Sequence, residues 1–220
     1  MAPQDRLILV TGGARSGKSS FGERLAAQLA EPLGGHVTYL ATSETNDSEM
    51  AARVAAHRAA RPAAWSTVEC PLEVPAALRR QAAAGTRVFL LDCVTFWVTN
   101  LLFAEGAFGG SAPPEEGFNY DKELLPADEE RAAAARVSAA AADLLATVAE
   151  AGATLVAVTN EVGLGVVPEY PLARLYRDQL GWVNQRLAAA ADRVYFLVAG
   201  YPLDVKTLAV PPFPAKETDQ

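Results

Sequence analysis

Short apolar runs alternate along this chain with longer segments of helical period. The runs Arg6–Val10, His36–Ala41, Arg87–Asp92, Thr154–Thr159 and Arg193–Val198 have the near-continuous apolar character of strands buried on both faces. A shorter run, Trp65–Glu69, reads as a further strand. Apolar residues recur at helical spacing over Lys18–Ala30, Ser48–Ala60, Leu72–Ala84, Thr95–Ala104, Ala127–Ala151 and Leu172–Ala190. Ala127–Ala151 is the clearest of these, with Pro126 just before it and Gly152 just after. Strand alternating with helix predicts an α/β fold with a mostly parallel sheet flanked by helices.

One region breaks the rhythm. Glu105–Pro126 holds Gly109-Gly110, Pro113-Pro114 and several acidic residues, and reads as a loop insertion within the domain. The segment after Gly200 contains Pro211-Pro212-Phe213-Pro214 and reads as a C-terminal tail with a disordered end. The expected organisation is one domain over residues 1–200 and a tail over 201–220.

Composition narrows the function class. The chain has 220 residues, half of them hydrophobic, which suits one globular domain with a sizeable core. A net charge of −7 argues against general nucleic-acid binding, which needs a basic footprint. The two cysteines, Cys70 and Cys93, lack metal-ligand spacing and read as small buried residues in a reducing compartment. No signal peptide, membrane-spanning run or lipidation motif is evident, so the expectation is a cytoplasmic protein without membrane insertion.

The first chemistry-bearing motif is Gly12-Gly13-Ala14-Arg15-Ser16-Gly17-Lys18-Ser19, which fits the phosphate-binding P-loop pattern. It stands between an apolar strand and an amphipathic helix, as its chemistry requires. The glycines let backbone N–H groups wrap phosphate oxygens, and the helix N-terminus adds its positive dipole end. Lys18 is placed to reach the β- and γ-phosphates of ATP or GTP, and the Ser19 hydroxyl to ligate Mg²⁺. Such a lysine is expected at the surface.

Asp92 ends the apolar run Val88–Leu91. In P-loop proteins an acid there holds Mg²⁺ beside the loop hydroxyl, and ligands gather at the carboxyl ends of parallel strands. The competing reading is a cap for the next helix. Glu161, in the glycine-bearing stretch Asn160–Gly165, is either part of a substrate loop or of an ordinary turn. His36 reads as a surface residue. His57 sits late in Ser48–Ala60, near Glu49 and Arg53 at four-residue spacing, with Arg58 and Arg61 following. Neighbouring cations depress a histidine pKa and favour the nucleophilic neutral form, and arginines grip phosphates. A solvated basic helix end explains the same pattern.

The motifs together resemble a family. The P-loop, Tyr39–Ser43, Glu49–Val54, His57–Pro62 with Trp65, Leu91–Thr95, Val98–Leu102, Val158–Pro168 and Val183–Ala188 resemble, in order, the bifunctional adenosylcobinamide kinase/adenosylcobinamide-phosphate guanylyltransferases. The resemblance runs from residue 7 to about 198. It implies a RecA-like P-loop fold, a homotrimer, and the substrates adenosylcobinamide, its phosphate, ATP and GTP. It implies a covalent GMP–histidine at His57. It also implies nucleotide contacts at Ala41, Thr42, Ser43, Arg58, Ala59, Ala60, Arg61, Glu69 and Asp92. The 105–126 loop and the tail match none of its motifs. Some relatives carry two adjacent histidines where this chain has Ala56-His57. Two other functions share the P-loop: a small-molecule kinase without nucleotidyl transfer, and a nucleotide-dependent regulatory or assembly protein.

Overall fold

The computed structural model describes residues 5–43, 62–104 and 127–210. A seven-stranded sheet organises them, in the order β3-β2-β4-β5-β1-β6-β7. Its strands are β1 (Leu7–Gly12), β2 (Thr38–Ala41), β3 (Ser66–Glu69), β4 (Val88–Asp92), β5 (Thr154–Val158), β6 (Arg193–Val198) and β7 (Tyr201–Asp204). The first six run parallel, and β7 returns antiparallel on β6. The helices are α1 (Lys18–Ala30), α2 (Val74–Ala83), α3 (Val94–Phe103), α4 (Ala127–Glu150), α5 (Pro171–Ala190) and the short α6 (Val205–Leu208).

The two-residue period of the strands divides the core into two layers. Leu7, Leu9, Phe89, Leu91, Leu155 and Ala157 face one way and pack with α2 to α5. Ile8, Val10, Val88, Leu90, Val156 and Val158 face the other way and pack with α1. Strands buried on both faces are why their sequences read as unbroken apolar runs. Helix α1 lies close on its face because its buried stripe is Lys18, Gly22, Ala26 and Ala30, three of them small. A Cβ at Gly22 would stand 3.0 Å from Val158 Cγ2.

The expected elements are present among the described residues, with ends moved by one or two positions. β2 starts at Thr38 rather than His36, and α3 starts at Val94. The expected tail needs correction. Residues 201–208 form β7 and α6, joined to β6 through Ala199 and Gly200, both at positive φ (50° and 88°). The hairpin makes Tyr201–Asp204 part of the sheet. α4 also corrects an expectation, being 24 residues long and apolar enough by length and composition to cross a bilayer. Its stripe Ala133, Val137, Ala141, Leu144 and Val148 is instead buried against the core. The helix expected over Ser48–Ala60, the 105–126 loop and residues 211–220 lie outside the described residues.

Candidate active site

The candidate residues gather at the carboxyl edge of the sheet. Strand register puts Glu69, Ala41, Asp92, Val158 and Val10 in one row across β3, β2, β4, β5 and β1. The P-loop opens two residues beyond that row. One strand, β5, separates the P-loop strand from the Asp92 strand, so the two stand about 10 Å apart.

Loop shape follows from its glycines. Gly12 adopts φ 152°, and a Cβ there would stand 2.6 Å from the Leu197 carbonyl oxygen, so only glycine fits. Gly17 caps α1 in the left-handed conformation, and no side chain caps this helix. Among the described residues no side chain claims the first-turn N–H groups, the arrangement that favours an anion. Two neighbours brace the loop: Gly200 N donates to Ser16 O and Glu161 N to Gly12 O, each at 3.0 Å.

Lys18 departs from the expected surface position. Its side chain is buried, at 8% exposure, because it folds back under the loop. Nζ donates to Gly13 O at 2.5 Å and reaches Ser16 Oγ at 3.5 Å. Burial lowers its pKa below the usual lysine value, and the nearby Cys93 and Asp92 act in the opposite direction. The sequence motif specifies what this lysine reaches but not how dry its surroundings are.

Asp92 does not cap α3, whose N-cap is Cys93 with no side-chain bond. Its Oδ2 accepts the Tyr39 hydroxyl at 2.8 Å. Thr42 holds the other side of this turn. Thr42 Oγ1 donates to Cys93 O at 2.7 Å and accepts from Cys93 N at 2.8 Å. Asn100 Nδ2 in turn donates to Thr42 O at 2.8 Å. The Asp92–Cys93 peptide is cis. Ala41 and Thr42 are buried, Ser43 is half-buried and Glu69 is exposed.

A polar chain fixes the end of β5. Thr159 Oγ1 donates to Asn184 Oδ1 at 2.8 Å, Asn184 Nδ2 to Asn160 O at 3.0 Å, and Asn160 N to Thr95 Oγ1 at 2.9 Å. Glu161 Oε1 accepts Gly163 N at 2.7 Å. Sequence reading singled out Glu161 but missed Tyr39, Thr95 and Asn184 as supports. Their partners are 24 or more positions away in the chain, so no local pattern marks them.

Mg²⁺ fits the residues present. Ser19 Oγ makes no hydrogen bond among the described residues, and Asp92 keeps Oδ1 in the same condition. No cluster of three or more His, Cys, Asp or Glu occurs among the described residues. A two-residue set suits Mg²⁺, which takes its remaining ligands from phosphate and water. His36 is exposed, with Nδ1 2.7 Å from Ala64 O, as a surface residue should be. His57, Arg58, Ala59, Ala60 and Arg61 lie outside the described residues.

The profile of the cobinamide kinase / cobinamide phosphate guanyltransferase family matches residues 8–205. The chain belongs to this family. The family resemblance read from the sequence is thereby borne out, and with it the reading of the chain as a P-loop enzyme. Relatives in the family align over nearly the whole chain. The bifunctional adenosylcobalamin biosynthesis protein CobU of Salmonella typhimurium is 44% identical over 200 residues, covering 91% of this chain and 99% of that protein. CobP of Pseudomonas aeruginosa, described by the same bifunctional name, is 43% identical over 198 residues, covering 90% of this chain and 96% of its own length. Among solved structures, the KaiC-like protein of Pyrococcus horikoshii is similar at a TM-score of 0.42 and 16% identity, covering 86% of this chain and 69% of that one.

Proposed function

We propose that the chain phosphorylates adenosylcobinamide with ATP or GTP. It then transfers GMP from GTP to the new phosphate, giving adenosylcobinamide-GDP and pyrophosphate. One observation carries the reading: a complete P-loop with its lysine and strand-end Asp92, in a chain whose family match spans residues 8–205.

In the kinase step the acceptor hydroxyl oxygen attacks the γ-phosphorus. The bond to the bridging β,γ-oxygen breaks, nucleoside diphosphate leaves, and the hydroxyl proton passes to solvent. The protein contributes position and charge rather than covalent chemistry. N–H groups of Gly13 to Ser19 hold the phosphates, and Lys18 Nζ exchanges the Gly13 carbonyl for a phosphate oxygen. Bound at Ser19 Oγ and Asp92, Mg²⁺ would supply neutralisation of the charge on the phosphates.

In the transfer step neutral His57 attacks the α-phosphorus of GTP and pyrophosphate leaves. An oxygen of the corrinoid phosphate then attacks the same phosphorus and the imidazole leaves. Dividing one displacement into two is nucleophilic catalysis. Arg58 and Arg61 would hold the departing phosphates. Ala41, Thr42, Ser43 and Glu69 complete the nucleotide contacts in this reading. It also assigns a homotrimer, on the family resemblance, and a cytoplasmic location, on two free buried thiols suited to reducing conditions.

Incubation with α- and γ-labelled GTP, with and without adenosylcobinamide, tests the scheme. Both labels should reach the corrinoid, and the α-label should reach the protein when corrinoid is left out. With unlabelled ATP also supplied, absence of the α-label from the corrinoid would refute the bifunctional reading.

A further inference from the structure

A groove of about 570 Å³ runs between α5 and the β1–β6 part of the sheet, on the face opposite α1. Leu9, Thr11 and Val194 of the sheet, Trp182 and Gln185 of α5, and Glu161 line it. It adjoins the P-loop directly. Thr11 precedes Gly12, and Glu161 N donates to Gly12 O. Nothing in the nucleotide chemistry above uses it.

The lining selects against a phosphate. Among the described residues its one cation, Arg177, is paired with Asp178 at 2.8 Å. What remains is an apolar lining with hydrogen-bonding groups. Trp182 is 62% exposed. Thr11 Oγ1 is buried and makes no hydrogen bond among the described residues, an orphan that costs free energy until something fills its valence. Gln185 is exposed, with donor and acceptor both available, and Glu161 offers carboxylate oxygens. An aromatic wall with hydroxyl, amide and carboxylate groups matches a large apolar ring fringed with primary amides. It does not match a nucleotide.

We propose that this groove docks one edge of the corrinoid, with the macrocycle rim against Trp182 and carboxamide arms bonded to Thr11, Gln185 and Glu161. The assignment rests on the functional reading above and adds where the acceptor binds. The groove volume takes an edge and its arms rather than the whole ring. Its position beside Gly12 brings the acceptor arm to the phosphate loop from the face that α1 leaves free.

Steady-state kinase assays on the full chain test this, varying adenosylcobinamide at saturating ATP and then ATP at saturating adenosylcobinamide. Thr11→Val, Trp182→Ala and Gln185→Ala should each raise the corrinoid KM at least five-fold and leave the ATP KM within two-fold. Thr11→Val should melt no lower than the unaltered protein, because the hydroxyl it removes has no partner among the described residues. Corrinoid KM values unchanged in all three variants would overturn the groove assignment alone. So would a changed mass of Trp182→Ala in light scattering with an unchanged corrinoid KM, since the groove would then be a contact between copies. Unaltered protein that binds ATP but never phosphorylates adenosylcobinamide would overturn the functional reading, and the groove assignment with it.

Discussion

Tyr39 donates its phenolic hydrogen to Asp92 Oδ2 at 2.8 Å, across the β2–β4 pair. Tyr39 stands opposite Leu90 in the register, so its ring reaches along the sheet to the carboxylate at the edge. The bond claims one oxygen and leaves Oδ1 without a hydrogen bond among the described residues. Tyr39→Phe keeps the ring and removes the bond. A lost hydrogen bond of about 1 kcal/mol corresponds to roughly a five-fold change in an equilibrium constant. The Mg²⁺ concentration for half-maximal kinase activity should rise by about that factor. A Mg²⁺ titration that overlays the unaltered protein would remove Tyr39 from the site's support.

Lys18 is tested by a substitution that respects its burial. Lys18→Met keeps the buried stem and removes the ammonium group. Loss of a charge aimed at the transferring phosphoryl costs several kcal/mol in the transition state, so turnover should fall at least about 100-fold. The melting temperature should change little, because the methionine fills the same space. Kinase turnover within three-fold of normal in the folded variant would disprove the role.

Two glycines should differ in their tolerance of a methyl group. Gly12→Ala combines a positive φ with a contact at 2.6 Å to a backbone oxygen, and neither partner can move cheaply. Gly22→Ala meets the side chains of Val158 and Leu90, at 3.0 and 3.3 Å. Overpacking of the second kind costs about 1–3 kcal/mol, and the first should cost more. Thermal denaturation should therefore rank Gly12→Ala below Gly22→Ala. The reverse order would mean that the phosphate loop adapts more readily than the helix–sheet seam.

Burial pushes both thiols up to about 11, with Asp92 adding to the effect at Cys93. A thiol whose pKa is higher folded than unfolded holds its proton longer in the folded state. Its stabilising contribution is present below the unfolded value near 9 and is lost as pH rises from there toward 11. Chemical denaturation should show stability falling across that window, and less steeply in Cys70→Ala. At pH 8 both thiols should resist a disulfide reagent until the protein unfolds. Rapid stoichiometric modification of the native protein would contradict this.

His57→Ala should abolish covalent labelling from α-labelled GTP and the guanylyl transfer while sparing much of the kinase activity. The label on the unaltered protein should be acid-labile, as a phosphoramidate is. Peptide mapping that places the label on Lys18 or His36 would reassign the nucleophile.

The sequence made the phosphate loop legible because its function depends on local backbone shape, which Gly12 and Gly17 encode directly. Asp92 was legible because an acid ending an apolar strand stands out. The burial of Lys18 was not, since it depends on what the folded loop covers. Nor was the Thr42 clamp on Cys93, whose partners stand 51 positions apart. β7 escaped detection because Tyr201-Pro202-Leu203-Asp204 is short and contains a proline. Its place at the sheet edge tolerates that residue, which an interior strand would not.

Redrawing the boundary at Gly200 has a practical side. Gly200 belongs to the turn between β6 and β7, and its N–H holds the Ser16 carbonyl inside the phosphate loop. Anyone trimming the chain after residue 200, where the sequence turns loop-like, would keep this N–H but strip away the hairpin that positions it. An enzyme shortened after Val198 would present as a nucleotide-affinity defect, with nothing missing from the P-loop itself. Cuts beyond Leu208 keep that brace, which makes residue 208 the natural limit for fusion or truncation.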